Sequence, residues 1–188
     1  MIENIFLESE NIYLKPLEEQ DISNSYLNGI NNQDRDIYTD HAIFPKNILN
    51  LKSFFHDKSA SADIWLGIFL KLNNKHIGNI EISDIEMVHR KANYSIIIWS
   101  NEGEGHGFSA SFVLFEHAFS KLNLNRISLS VNSSNKAAVN LYKKLGFIEE
   151  GLMRESFIRE DKKYDFLVMG LLRKDFLVIK NKRSNSNV

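Results

Sequence analysis

Between Ala92 and Leu122 a strand, a glycine-punctuated loop and an amphipathic helix follow one another, and no other stretch limits the fold as much. Ala92 to Trp99 reads Ala-Asn-Tyr-Ser-Ile-Ile-Ile-Trp, and its isoleucine run suits a strand buried on both faces. Phe108, Phe112, Phe115, Phe119 and Leu122 recur at spacings of 4, 3, 4 and 3, the apolar stripe of a helix expected to face a core. Between the two, Asn101 to Ser109 carries glycine at 103, 105 and 107. Glycines at alternate positions let the backbone turn tightly and expose consecutive N–H groups, and a helix starting near Gly107 adds its positive end. The loop alone supports two readings equally: a cradle for a pyrophosphate, or a plain connection. It is neither of two better-known phosphate loops. Gly107-Phe108-Ser109 lacks the lysine of a P-loop, and the glycine spacing is wrong for a dinucleotide fold.

The flanking pattern sets the fold class. Ile12 to Lys15 is a short strand ended by Pro16, Glu19 to Ile30 is weakly helical, and Asn31 to Asp40 is a polar, acidic loop. Asn47 to Lys58 spaces Ile48, Leu51, Phe54 and Phe55 as a helix does. Ile64 to Leu70 and His76 to Ile85 are β-rich, with a hairpin turn at Asn73-Asn74. Arg126 to Val131 is a further strand, and Asn135 to Lys144 a helix stopped by Gly146. Phe147 to Ile158 and Tyr164 to Leu172 are two closing strands, and Asn181 to Val188 reads as a frayed polar tail. The order predicts a mixed α/β fold around one sheet.

Composition removes whole classes of chemistry. With 43% apolar residues and 13 Phe, 6 Tyr and 2 Trp in 188 residues, most of the chain can build a core. Lys and Arg total 23 against 24 Asp and Glu, so no nucleic-acid partner is expected. There are no cysteines, which excludes disulfides, thiolate metal sites and a thiol nucleophile. The six histidines show no metal-ligand spacing, and no metal is expected. The acidic N-terminus lacks the features of a signal peptide, and no apolar run approaches a membrane span. A cytoplasmic chain with no membrane partner is the expectation.

The most specific stretch is Ser128 to Gly151. Asn135 opens a helix and Tyr142 follows seven residues later, two turns along the same face. Asn135, Ala138, Tyr142, Lys144, Gly146 and Phe147 form a signature, followed by Glu150-Gly151, Arg154, Tyr164-Asp165 and Met169 to Leu172. On these residues, and on Glu104-Gly105-His106-Gly107-Phe108-Ser109, the chain resembles the GCN5-related N-acetyltransferases (GNAT). The likeness is to the branch of ribosomal-protein N-terminal and spermidine N-acetyltransferases, over about residues 10 to 176. Glu104 stands where the family has Gln or Arg, and Ser109 where it has Gly or Ala.

The resemblance implies an α/β (α+β) GNAT fold with a single central, mostly antiparallel sheet of about seven strands. That sheet would be flanked by helices and splayed at its middle strands. It implies one N-acetyltransferase domain over residues 1–178, a polar tail over 179–188, and acetyl-CoA as cosubstrate. The main chain of Ile97, Ile98 and Trp99 would hold pantetheine. The phosphates would sit on the loop from Glu104 through Gly105, His106, Gly107, Phe108 and Ser109 to Ala110, with Asn135 also at the cofactor. Tyr142 is the candidate general acid, because a phenol of pKa about 10 keeps its proton at neutral pH. Glu81 is the candidate base, directly or through water, with a solvated strand carboxylate as the other reading. Without cysteine no thiol acyl-enzyme can form, which favours direct attack by the amine in a ternary complex. The acceptor would be a polyamine, recruited by Asp34, Asp36 and Asp40, or a protein or peptide N-terminus. Amino sugars, antibiotics and a non-catalytic acetyl-CoA-binding module are the alternatives. A homodimer is a habit of the family.

Overall fold

A computed structural model of the chain describes residues 4–32 and 45–186. Asp34, Asp36 and Asp40 lie outside the described residues. Eight strands occur among the described residues: β1 (Leu7–Glu8), β2 (Ile12–Pro16), β3 (Ile64–Leu70), β4 (His76–Glu86), β5 (Lys91–Ile98), β6 (Arg126–Asn132), β7 (Ile148–Arg159) and β8 (Lys162–Leu172). Five helices accompany them: α1 (Asn24–Ile30), α2 (Ile48–Ser59), α3 (His106–Ser120), α4 (Lys136–Lys144) and α5 (Arg173–Ser186). The strands hydrogen-bond in the order β1-β2-β3-β4-β5-β6-β8-β7, one open sheet. Where about seven strands are expected there are eight. The addition is β1, two residues paired antiparallel with β2 and too short to show a period. β5 and β6 are parallel over Lys91–Asn93 and Arg126–Ser128, the pairing that a helical crossover such as α3 permits. The other pairings with a defined register are antiparallel.

Contacts divide the chain into two compact units, Met1–Ser83 with Ser95–Val113, and Asp84–Tyr94 with Leu114–Val188. In the first, Tyr13, Leu17, Ile22, Tyr26, Leu51, Phe55 and Phe69 form one buried cluster. The weak helix expected over Glu19 to Ile30 is broken in two. The Asp21 carboxylate accepts from the Glu18 N–H at 2.8 Å and from Lys15 at 2.8 Å, closing a 3-10 turn at Glu19–Asp21. Ser23 then caps a new helix through the Tyr26 N–H at 3.3 Å. α2 begins at a reciprocal cap, in which Asn47 and Asn50 each accept the other's backbone N–H at 2.9 Å.

In the second unit Phe115 and Phe119 of α3 meet Phe176 at 6.3 and 5.3 Å, and these three, with Leu124, Ile127, Met169 and Leu171, are essentially without exposed surface. The phenylalanine stripe is therefore core only in part. Phe108 and Phe112, in the first unit, are half-buried and stack on one another at 5.9 Å, and Leu122 lies beyond the end of α3. α4 ends at Gly146, whose φ of +96° is the left-handed stop its position demands. Glu160 and Asp161, with φ of 46° and 61°, turn β7 into β8. The C-terminal residues are not a frayed tail as far as Ser186. They continue α5, which is anchored by buried Phe176 and by an ion pair between Lys180 and Glu116.

Candidate active site

The loop ahead of α3 depends on three left-handed residues, Asn101 at φ 57° and Gly103 and Gly105 at φ 80°. A Cβ at either glycine meets no atom, so the backbone angle and not space calls for glycine there. α3 starts at His106, and the Ser109 N–H is already bonded to Gly105 O at 3.1 Å. The amides that the helix itself leaves over are those of Gly105, His106, Gly107 and Phe108. The Ser109 N–H is thus taken up within the helix, and Ala110 is fully buried.

Glu104 does not stand free in this loop. Its carboxylate accepts from Asn101 Nδ2 at 3.1 Å and from His106 Nε2 at 3.1 Å. Those two hydrogen bonds, with the nearby His106 and Lys75 charges, hold its pKa below the usual carboxylate value. Lys75 in turn bonds Asn101 Oδ1 at 3.2 Å. Carboxylate, amide, imidazole and ammonium therefore brace one another around the turn.

Of the strand residues expected at pantetheine, Ile97 and Ile98 are half-buried. Ile97 O lies so close to β4 that a Cβ at Gly78 would sit 2.3 Å from it. Trp99 does not offer its N–H, which donates to Ile77 O at 2.9 Å. Its indole stacks on Tyr26 at 4.9 Å, with Gly29 beneath it because any side chain there would strike the ring.

Beside β4 and β5 the first unit encloses a cavity of about 550 Å³, walled by Phe54, Asp57, Trp65, Tyr26, Glu81 and Ser95 among others. Phe54 and Trp65 meet edge to face at 5.6 Å. Glu81 is ion-paired with Lys58, which also reaches Asp63 at 3.2 Å, and its second oxygen accepts from Ser95 Oγ at 3.4 Å. Under the cavity runs a polar chain with no signature in the sequence. His76 Nε2 donates to Asn79 Oδ1 at 2.9 Å, and Asn79 Nδ2 donates to Tyr26 Oη at 2.7 Å. Burial lowers the His76 pKa and pushes Tyr26 up to about 12, so both are neutral at pH 7.

In the second unit Tyr142 is 8% exposed, its ring set against Tyr94 at 6.1 Å and Phe147 at 5.8 Å. Burial pushes its phenol up to about 12. Asn135 caps α4, its Oδ1 accepting the Ala138 N–H at 3.1 Å, so its carbonyl oxygen has a structural task.

Residues 11–148 match the family model described as the acetyltransferase (GNAT) domain. The chain belongs to the GNAT acetyltransferases. A spermidine N(1)-acetyltransferase of Vibrio cholerae serotype O1 is 36% identical over 103 residues, 54% of this chain and 59% of that protein. The chain thus spans 49% to 59% of the length of the curated spermidine acetyltransferases it matches. A solved spermidine N-acetyltransferase of Vibrio cholerae, in complex with CoA and spermine, has a TM-score of 0.79 at 27% identity, covering 88% of this chain and 98% of that one. A dodecameric structure of the spermidine N-acetyltransferase from the same organism has a TM-score of 0.72 at 26% identity, covering 88% and 96%.

In this GNAT chain Glu81, the segment from Ile97 to Trp99 and the glycine loop all belong to the first unit. The second holds Asn135 and Tyr142. The aromatic cavity was missed from sequence, since Phe54 read there as part of a helical spacing and Trp65 lay within a β-rich run. Exposure of Phe54 at 44% separates it from the core, and that exposure arises only in the folded chain. Among the described residues no group of three or more His, Asp or Glu could hold a metal, and no helix is long and apolar enough to cross a membrane.

Proposed function

We propose that this chain transfers the acetyl group of acetyl-CoA to a primary amine of a polyamine, by direct attack in a ternary complex. The observation that carries the reading is the cavity in which Phe54 and Trp65 stand with Asp57 and Glu81. Aromatic faces and carboxylates together suit an elongated cation, through cation–π attraction and charge pairing. The names of the similar Vibrio cholerae proteins, and the CoA and spermine bound to one of them, support the same acceptor class.

The chemistry assigns roles by what each side chain can hold at neutral pH. An amine of ordinary pKa near 10 arrives as an ammonium and must lose a proton before its nitrogen can attack the thioester carbon. Glu81 is the acceptor of that proton, directly or through water. As the new C–N bond forms the C–S bond breaks, and the departing thiolate needs a proton. Tyr142 supplies it, because a phenol titrating at about 12 is fully protonated at pH 7. The amides of Gly105 to Phe108 bind the pyrophosphate, and the braced Glu104 keeps that loop in shape. The dodecamer of the Vibrio cholerae relative supports an assembly of several copies, which sedimentation tests against a monomer or a simple dimer.

The test is kcat/KM for acetyl transfer to spermidine, spermine, a peptide N-terminus, an amino sugar and an aminoglycoside. A polyamine is expected to lead the panel. Preference for the peptide or a sugar overturns the acceptor assignment.

A further inference from the structure

We infer that Lys58 is a built-in competitor for the acceptor's ammonium at Glu81, and so sets how tightly a polycation binds. The inference rests on the acceptor class proposed above and adds a residue that governs it.

Lys58 lies in the last turn of α2, and its side chain is 23% exposed. Its ammonium bridges two carboxylates, Asp63 at 3.2 Å and Glu81 at its Oε1. The two anions belong to different spaces. Asp63 and Lys58 line a cavity of about 370 Å³ together with Phe6, whereas Glu81 and Ser95 line the larger one of about 550 Å³. Trp65 is a wall of both. Lys58 therefore reaches from the smaller space to the anion that the larger space presents.

That position is the one an entering ammonium needs. Among the described residues Glu81 has, besides Lys58, a long 3.4 Å bond from Ser95 on its other oxygen, so Lys58 is its principal partner there. A cation arriving in the larger cavity gains Glu81 only by taking it from Lys58. The displaced lysine is not left without a partner, because Asp63 keeps it. The exchange swaps one ammonium for another and strands no buried charge, so it is reversible on binding and release. A purely structural bridge would contribute to folding and leave acceptor affinity alone.

Two variants push in opposite directions. Lys58→Met keeps the apolar stem and removes the rival charge. KM for spermidine is expected to fall about fivefold, the scale of a partly exposed ion pair, with kcat within about twofold. With one positive charge fewer beside the cavity, its KM also rises more steeply with salt than that of the wild type. Asp63→Asn removes the resting partner, fixes Lys58 on Glu81 and raises KM. Because Asp63→Asn leaves Lys58 and Glu81 in place, it keeps the test available if Lys58→Met folds poorly, which thermal melting shows. An unchanged or raised KM in Lys58→Met, or a lowered KM in Asp63→Asn, overturns the role of Lys58 while a wild type active on spermidine leaves the acceptor class standing. A wild type inert toward every polyamine overturns both.

Discussion

Tyr142 concentrates the chemistry proposed for this chain in one hydroxyl. No other described residue hydrogen-bonds that hydroxyl, so Tyr142→Phe breaks no bond and keeps the ring against Tyr94 and Phe147. Turnover is expected to fall by ~10²-fold, the usual weight of a general acid, with the melting temperature and acetyl-CoA affinity little changed. Steady-state kinetics beside calorimetry separates this from misfolding. The same burial predicts a pH effect. Tyr26 and Tyr142 titrate at about 12 when folded, against 10.0 for a free phenol. Between those values the unfolded chain loses protons that the folded chain keeps, so stability falls as pH rises from about 10 to about 12 and is unaffected at pH 7. Denaturant titrations across that window should show a shallower fall in Tyr142→Phe. At this scale the sequence was informative wherever a residue type has few uses. Tyr142 and the alternating glycines stood out by spacing. The bracing of Glu104 by His106 and Asn101 did not, because it depends on the left-handed turn at Gly105 folding two neighbours back on one another.

Helix ends were the most legible elements, since caps are local. Asn47 and Asn135 could be placed from their side chains and Gly146 from its lack of one, and each sits at a helix terminus. Elements fixed by distant partners were not. The polar run after Ile179 has no apolar period, and α5 is held by Phe176 in the core and by Lys180 reaching Glu116, 64 residues away. The break in the Glu19–Ile30 segment was hidden for a similar reason, because Asp21 and Ser23 offer local bonds that a propensity sum does not count. Gly146 gives the test at this scale. Its φ is +96°, and a Cβ would meet Ile179 at 3.2 Å and Leu171 at 3.3 Å. Gly146→Ala is expected to cost about 1–2 kcal/mol in urea unfolding, mostly from the left-handed backbone. Kinetics of the remaining folded protein should stay near wild type.

Over the whole molecule, element order and family were readable because strand, loop and helix periods are local properties of the chain. The cavity was not, because it draws Phe54 from α2, Trp65 from β3, Glu81 from β4 and Ser95 from β5. Topology alone assembles them. Acetyl-CoA that binds only the folded chain must stabilise it, by about 2.7 kcal/mol at a hundred times its Kd. Thermal melting with acetyl-CoA should rise accordingly, and an unmoved melt at millimolar acetyl-CoA contradicts use of the glycine loop. Group transfer is tested most directly by following both products in one reaction. Incubated with acetyl-CoA and spermidine, the chain is expected to release CoA thiol and N-acetylspermidine in equal amounts, with both falling together in Tyr142→Phe. Thiol release without acetylated amine, or neither product at saturating acetyl-CoA, would contradict it.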